Sequence, residues 1–423
     1  MGGETNLARV VSRREVIALA VNDVVGSGVY VILPVSAAAL LGPASIGAIF
    51  AAGLAVLLLV LCFAEASSRF DETGGAYVYA KAAFGPLVGF EIGWMTWVAK
   101  LATVSSLSAY LARTLGYAFA PARAAPTVTA LVLIATLTFV NVRGVKSGAR
   151  AAVVLSWGKI LPLLVFLGVG LFHVETARLV PSMPAPGKLG EAALLVLFAY
   201  AGFENTPAVA GELRDPQRDV PFALVAMTIC VTALYTLVQV VALGAIPDLA
   251  ATSLPLATAA RGWLGPAGGA LLAIGGGLAV LGTLNNTVLV GPRYLYALAR
   301  DRAPGSALAR LHPRFRTPHV AIVLQSVLAA ALVLTGTAEQ LAELSIIARL
   351  ATYAGTAAAV PVLRRKLPAG PRTVRLPGGP LIPVAALLIC LVFLSSATLR
   401  NLVAGAIALL VGAALFFLRP PRG

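Results

Sequence analysis

Apolar stretches of about 20 residues, each long enough to cross roughly 30 Å of hydrocarbon, recur along the whole of this 423-residue chain. In lipid every backbone polar group must find a partner inside the protein, so repeated segments of this length imply an α-helical bundle rather than a barrel. Twelve such segments can be counted, at 15–41, 45–68, 85–112, 125–142, 149–172, 190–211, 220–246, 268–297, 318–336, 341–363, 379–398 and 401–418. A mean hydropathy of +0.90 with only 12% charged residues excludes an ordinary soluble domain. Segments three and eight are long enough to tilt across the bilayer. No connection is long enough to hold a folded soluble domain, so whatever the chain does happens in the membrane.

The net charge of +15 raises the possibility of nucleic acid, but the placement of the charges argues for a lipid bilayer instead. With the N-terminus on the cytoplasmic side, both tails and the even-numbered connections hold 22 of the 32 Lys and Arg, counting Arg150 at the very start of segment five with the basic connection before it. The odd-numbered connections hold only Arg113, Arg123, Arg178, Lys188, Arg261 and Arg400, and Lys100, Lys159, Arg293 and Arg349 fall within segments. This asymmetry is the positive-inside pattern, and it places both termini in the cytoplasm of a multi-pass inner-membrane protein. Cys62, Cys230 and Cys390 lie in apolar runs without paired spacing and read as small core hydrophobes. No metal-ligand set or cofactor motif is present in the sequence.

Within segment one, VIALAVNDVVGSGVYVILPVSAAALLG carries Gly26-Ser27-Gly28 at mid-membrane depth. Two glycines around a serine favour unwinding and leave N–H groups without their helical partners. Irregular backbone at that depth persists only where it is buried in protein or lines a cavity, so the break predicts a cavity. Asp23 sits just before it. A carboxylate there is costly unless hydrated, protonated or paired, which makes Asp23 either a functional group or half of a buried ion pair.

Other polar residues fall on a few helical faces. In segment three Thr96, Lys100, Thr103 and Ser106 form a narrow stripe expected to look inward. Lys100 there can contact substrate, pair with Asp23 or Glu91, or extend its stem toward water. Segment four reads as filler ending at Asn141. In segment five, desolvation disfavours a charged ammonium, so Lys159 could exchange a proton if buried; snorkelling to the surface is the alternative. Segment six repeats the logic of segment one: Gly202 and Pro207 bracket a second break, with Glu204 between them. Segment seven carries Gln239 and little else. Segment eight offers Gly275-Gly276-Gly277 for close helix contact and Asn285, Asn286 and Thr287 for a cavity, and segment ten holds Arg349 for an inward ion pair. Interrupted helices that open two successive five-segment blocks, 15–172 and 190–363, point to an inverted-repeat transporter.

Taken in order, VGSGVY with its following proline, ETGGAYVYAKAAFGP, NVRGVKSGARAAVVLSWGKI, FAYAGFENTPAVAGELRDPQRDVP and YALARDRAP resemble the amino acid-polyamine-organocation superfamily of secondary transporters over nearly the whole chain. The resemblance implies a LeuT-like, five-plus-five inverted repeat of twelve transmembrane helices, with a cytoplasmic tail at 1–14 and two extra helices at 379–418. It implies a midplane site between segments one, three, six and eight. The N–H groups of Gly26, Ser27 and Gly28 would receive a substrate α-carboxylate, as the positive end of a half-helix also suggests. Carbonyls near Val24, Phe198 and Ala201 would take the α-amino group, Phe198 would gate the pocket beside Gly202, and Asn286 would meet the substrate side chain. Lys159 would stand where sodium-coupled relatives hold a cation, and Glu204 would be a proton-linked gate. Asp23, Lys100 and Arg349 are charges where members usually carry neutral residues. These features together imply a proton-coupled amino acid symporter working by alternating access, with an amino acid or amine exchanger, cationic substrates included, as the alternative. A channel lacks its continuous polar pore and an enzyme lacks its catalytic set. The expected partners are a small amino acid, protons and the bilayer, with no nucleic acid or cofactor, in a monomer or homodimer.

Overall fold

The computed structural model describes residues 12–26, 28–71, 74–143, 149–180, 186–247, 249, 254–302 and 306–418. Ser27 and most of the 1–14 tail lie outside the described residues. Among the described residues the fold is all-helical. Six helices among the described residues are long and apolar enough to cross a membrane: Ala44–Ser67, Pro86–Gly116, Pro216–Ala245, Pro255–Arg302, Ala338–Lys366 and Leu399–Leu418. Shorter apolar helices, among them Pro126–Val142, His319–Val333 and Leu381–Ser395, occupy further predicted segments.

Local chemistry sets where these helices begin and stop. Glu15 accepts the backbone N–H of Ser12 at 2.8 Å, which closes a capping box at the first helix. Proline opens Pro86–Ala118, Pro126–Val142 and Pro216–Ala245, where its missing N–H leaves no bond unmade. The short helix Ala76–Phe84 lies between Gly75 (φ 54°) and Gly85 (φ 93°), two positions that need the left-handed region. Segment eight belongs to a helix that bends at Gly265 (φ 68°), so a short helical piece precedes the predicted start at 268.

Pro86–Ala118 forms the centre of the packing, against Ala338–Lys366, Pro255–Arg302, Pro126–Val142 and His319–Val333. Its polar stripe faces Ala338–Lys366: Thr96 Oγ1 lies 2.9 Å from Thr352 Oγ1, Thr103 Oγ1 lies 2.7 Å from Ser345 Oγ, and Ser106 donates to Ala338 O at 2.7 Å. Where lipid removes the usual hydrophobic driving force, such bonds and small residues hold helices together. A Cβ on Gly275 would stand 2.8 Å from Pro162 Cγ and one on Gly276 3.1 Å from Tyr30 Cδ1, whereas Gly277 has nothing within 4 Å. Two of the three glycines therefore serve close contact.

Both predicted helix breaks are present, with windings the sequence did not suggest. Arg13–Val24 ends at an extended Val25, and Gly28–Ala37 continues as a π-helix around Pro34. A proline removes a rung of the α ladder, and the wider π turn is one way to absorb that loss. Pro186–Tyr200 ends before Gly202 (φ 130°), and the chain proceeds as a 3₁₀ helix over Phe203–Glu212. One expectation is overturned outright: Cys62 and Cys390 are buried but Cys230 is exposed. The outward surface of a membrane helix is itself apolar, so hydrophobic neighbours do not make a residue internal.

Candidate functional site

The two breaks face each other and share their loose ends. The last carbonyls of any helix lack intrahelical partners. At the first break the last helical bond runs from Val25 N to Val21 O at 2.8 Å; beyond it, Asn22 O takes the Lys159 ammonium at 3.2 Å and Val24 O takes the Tyr235 hydroxyl at 2.9 Å. The same hydroxyl lies 3.1 Å from Ala199 O at the second break, where Ala201 N returns to Phe198 O at 3.1 Å. Gly202 packs against the chain at Asp23; a Cβ there would stand 2.5 Å from Asp23 O. A Cβ on Gly28 would stand 2.6 Å from that of Ala199, and one on Gly26 would stand 2.7 Å from Thr283 Oγ1. Glycine is thus required on both sides for the backbones to meet.

Between the breaks lies a narrow cavity of about 30 Å³. Asp23, Val24, Gly26, Gly28, Phe198, Ala201, Gly202 and Asn286 line it, together with Lys100, Thr103, Asn205, Thr283, Thr287 and Arg349. Such a space holds a water molecule or two rather than an amino acid. Asn286 Nδ2 donates to Asp23 Oδ1 at 2.6 Å, so Asp23 is held by an amide, and among the described residues it is not half of an ion pair. Asn205 Oδ1 is buried without a hydrogen-bond partner among the described residues. Asn285 turns away from the cavity and accepts from Asn141 Nδ2 at 2.9 Å, so segment four contributes a buried polar tie and is not mere filler.

Glu204 is the hub of a buried charge cluster. It accepts Lys100 Nζ at 2.7 Å, forms an ion pair with Arg349, and takes the Tyr353 hydroxyl at 3.1 Å and the backbone N–H of Gly202 at 3.0 Å. The side chains of Lys100 and Glu204 are each 1% exposed and that of Arg349 5%. Arg349 also reaches Thr103 Oγ1 at 2.9 Å and Ser345 Oγ at 3.2 Å. Lys100 therefore pairs with Glu204, and not with Asp23 or Glu91. The physical reason is placement: the 3₁₀ segment delivers Glu204 to the stripe, while Glu91 faces Gly412 of the last helix. Lys159 is fully buried, which rules out snorkelling.

Sequence reading missed Tyr235, whose single hydroxyl serves both breaks, and Tyr353 and Asn205. An isolated tyrosine in an apolar run reads as another core aromatic. The signal that was present was Asn205 itself, directly after Glu204 in the broken stretch.

A family model described as amino acid permease matches residues 11–415. The chain is 30% identical over 444 residues to a branched-chain amino acid permease of Bacillus subtilis (strain 168), a match covering 98% of this chain and 94% of that protein. It is 29% identical to a methylthioribose transporter of the same organism over 432 residues, with 98% and 94% covered. It is 28% identical to a serine/threonine exchanger, again of that organism, over 413 residues, with 94% and 93% covered.

Proposed function

Because the chain belongs to the amino acid permease family, we propose that it is a secondary active transporter that imports an amino acid by proton-coupled symport through alternating access. The family and these relatives are transporters and not enzymes. The chain is an integral membrane protein. Twelve spans, a five-plus-five repeat over 15–172 and 190–363, two further helices over 379–418, and cytoplasmic termini in the cell membrane complete the reading; the positive-inside bias supports the orientation.

The observation that carries the proposal is the meeting of two helix breaks around one polar cavity, since ligands of broken-helix transporters bind where backbone groups are free of the helical ladder. The N–H groups of Gly26, Ser27 and Gly28 take the substrate carboxylate. Carbonyls at Val24, Phe198 and Ala201, with Asn205 Oδ1 beside them, take its ammonium, and Phe198 closes over it. Asn286 and Asp23 read the side chain. At about 30 Å³ the cavity admits substrate only when the half-helices part, which is the motion that alternating access requires. Lys159 carries the coupled proton, and Glu204 becomes able to take one when that motion strips Lys100 and Arg349 from it.

Obligatory exchange is the second reading, and the bond from Lys159 to Asn22 O favours it, because an ammonium held on that carbonyl throughout the cycle would move no proton. Counterflow in proteoliposomes tests both. Labelled amino acid should accumulate inside vesicles, and faster with an inward proton gradient. Uptake that ignores the gradient yet needs internal amino acid would establish exchange, and no counterflow with any amino acid would overturn transport of this class.

A further inference from the structure

Far from the cavity, a groove of about 520 Å³ opens where the start of the first helix meets Ala44–Ser67, Pro216–Ala245 and the connection after Ala338–Lys366. Its polar rim holds Arg13, Arg218 and Arg372. Among the described residues two carboxylates are placed against these three guanidinium groups: Asp215 Oδ1 accepts Arg372 at 2.7 Å, and Asp219 Oδ1 lies 3.8 Å from Arg13 Nε. Arg218 is exposed, and among the described residues the rim carries one cation more than it has paired carboxylates. The guanidinium of Arg13 lies flat on Phe222, 3.6 Å from the ring centroid, which holds its charge at the mouth of the groove.

The floor is apolar and does not stop at the groove. Phe222 (46% exposed) is followed along its helix by Val225 and by Ile229 (56% exposed), at three and seven residues, on one helical face. Leu61 in the groove is preceded seven residues earlier by Leu54 (50% exposed) on the helix packed beside it. A furrow of lipid-facing apolar side chains thus descends from a rim of surplus positive charge. Water-soluble anions have no use for the furrow and neutral lipids have none for the rim. A molecule with an anionic head and hydrocarbon tails fits both, as basic pockets between helix ends do elsewhere.

We propose that this groove is a binding site for one anionic phospholipid, its phosphate between Arg218 and Arg372 beside Arg13, with an acyl chain laid along Phe222, Val225 and Leu61. The leaflet is the one facing the side where the N-terminus emerges.

The test is binding of fluorescent-acyl phosphatidylglycerol to the full-length purified protein in a neutral detergent, with the phosphatidylcholine analogue as comparison. Phosphatidylglycerol should bind about tenfold or more tightly than phosphatidylcholine. Each rim arginine contributes about fivefold, so Arg218→Gln with Arg372→Gln should weaken phosphatidylglycerol by about 25-fold and leave phosphatidylcholine unchanged. Arg314→Gln, on another exposed basic stretch, should change neither. Glycerol 1-phosphate in millimolar excess should not displace the lipid. Equal affinity for the two lipids, an unchanged affinity in the double variant, an equal loss in Arg314→Gln, or displacement by glycerol phosphate would each overturn the proposal, the last by showing an anion site without lipid specificity. The readout is binding alone, so it stands or falls independently of what the protein transports.

Discussion

Removing Glu204 should cost far more than removing either cation it holds, because the cluster has two positive groups and one negative. Glu204→Gln leaves Lys100 and Arg349 facing each other with side chains 1% and 5% exposed and no anion between them. Stripping one partner from a buried ion pair costs about 3–5 kcal/mol. Lys100→Met, by contrast, leaves Glu204 with Arg349, Tyr353 and the Gly202 N–H, so a neutral pair survives. The loss is then one charge-assisted hydrogen bond, about 1.5–3 kcal/mol, partly offset by the methionine stem. The gap between the two variants should be about 2 kcal/mol. Combining them removes the surplus cation and should recover part of the Glu204→Gln loss, a coupling visible in a double-mutant cycle. Thermal and chemical unfolding of the four proteins in the same detergent would measure it. Equal losses in the single variants, or a double variant worse than Glu204→Gln alone, would refute the charge count on which the reasoning rests.

The remaining predictions are narrower. Gly202→Ala places a Cβ 2.5 Å from Asp23 O at φ 130°, and folded yield should fall sharply, while Gly277→Ala, with open space around it, should stay within about 0.5 kcal/mol of the parent in unfolding assays. Tyr235→Phe strips a donor from Val24 O and Ala199 O and should cost about 1–3 kcal/mol and slow counterflow; a variant of parental stability would show that neither carbonyl depends on it. Lys159→Ala should abolish the response of uptake to a proton gradient while counterflow persists, and unchanged gradient-driven uptake would remove Lys159 from the coupling. Asp23→Asn should lower competition by lysine and arginine relative to neutral amino acids; strong cationic competition that survives the change makes Asp23 structural.

Much of the architecture was legible because the bilayer imposes length and the backbone tolerates so few breaks. The apolar runs locate the helices to within a few residues, and Gly26, Gly202 and Pro207 mark where two of them fail. The winding beyond each break was not legible: whether Gly28–Ala37 turns as α or π is decided by the ladder around Pro34 and by packing on Pro186–Tyr200. Lys100, Glu204 and Arg349 each stood out alone, since an intramembrane charge is conspicuous. Their pairing did not, because partners 104 residues apart are joined by tertiary packing that no local period encodes. Cys230 shows the other blind spot, as lipid and core demand the same apolar residues.

Tyr235 has one proton to give and two carbonyls within reach, at 2.9 and 3.1 Å. If either half-helix swings away, the hydroxyl can follow or pass wholly to the carbonyl that stays, and no donor is stranded on the way. Leaving a buried hydrogen-bonding group unmatched costs about 1–3 kcal/mol. In the alternating access proposed above, that sum would otherwise be added to the barrier between the two faces of the cycle. A shared donor lowers the activation cost of rearrangement without loosening either resting state, so its removal should show in the rate of interconversion as well as in stability.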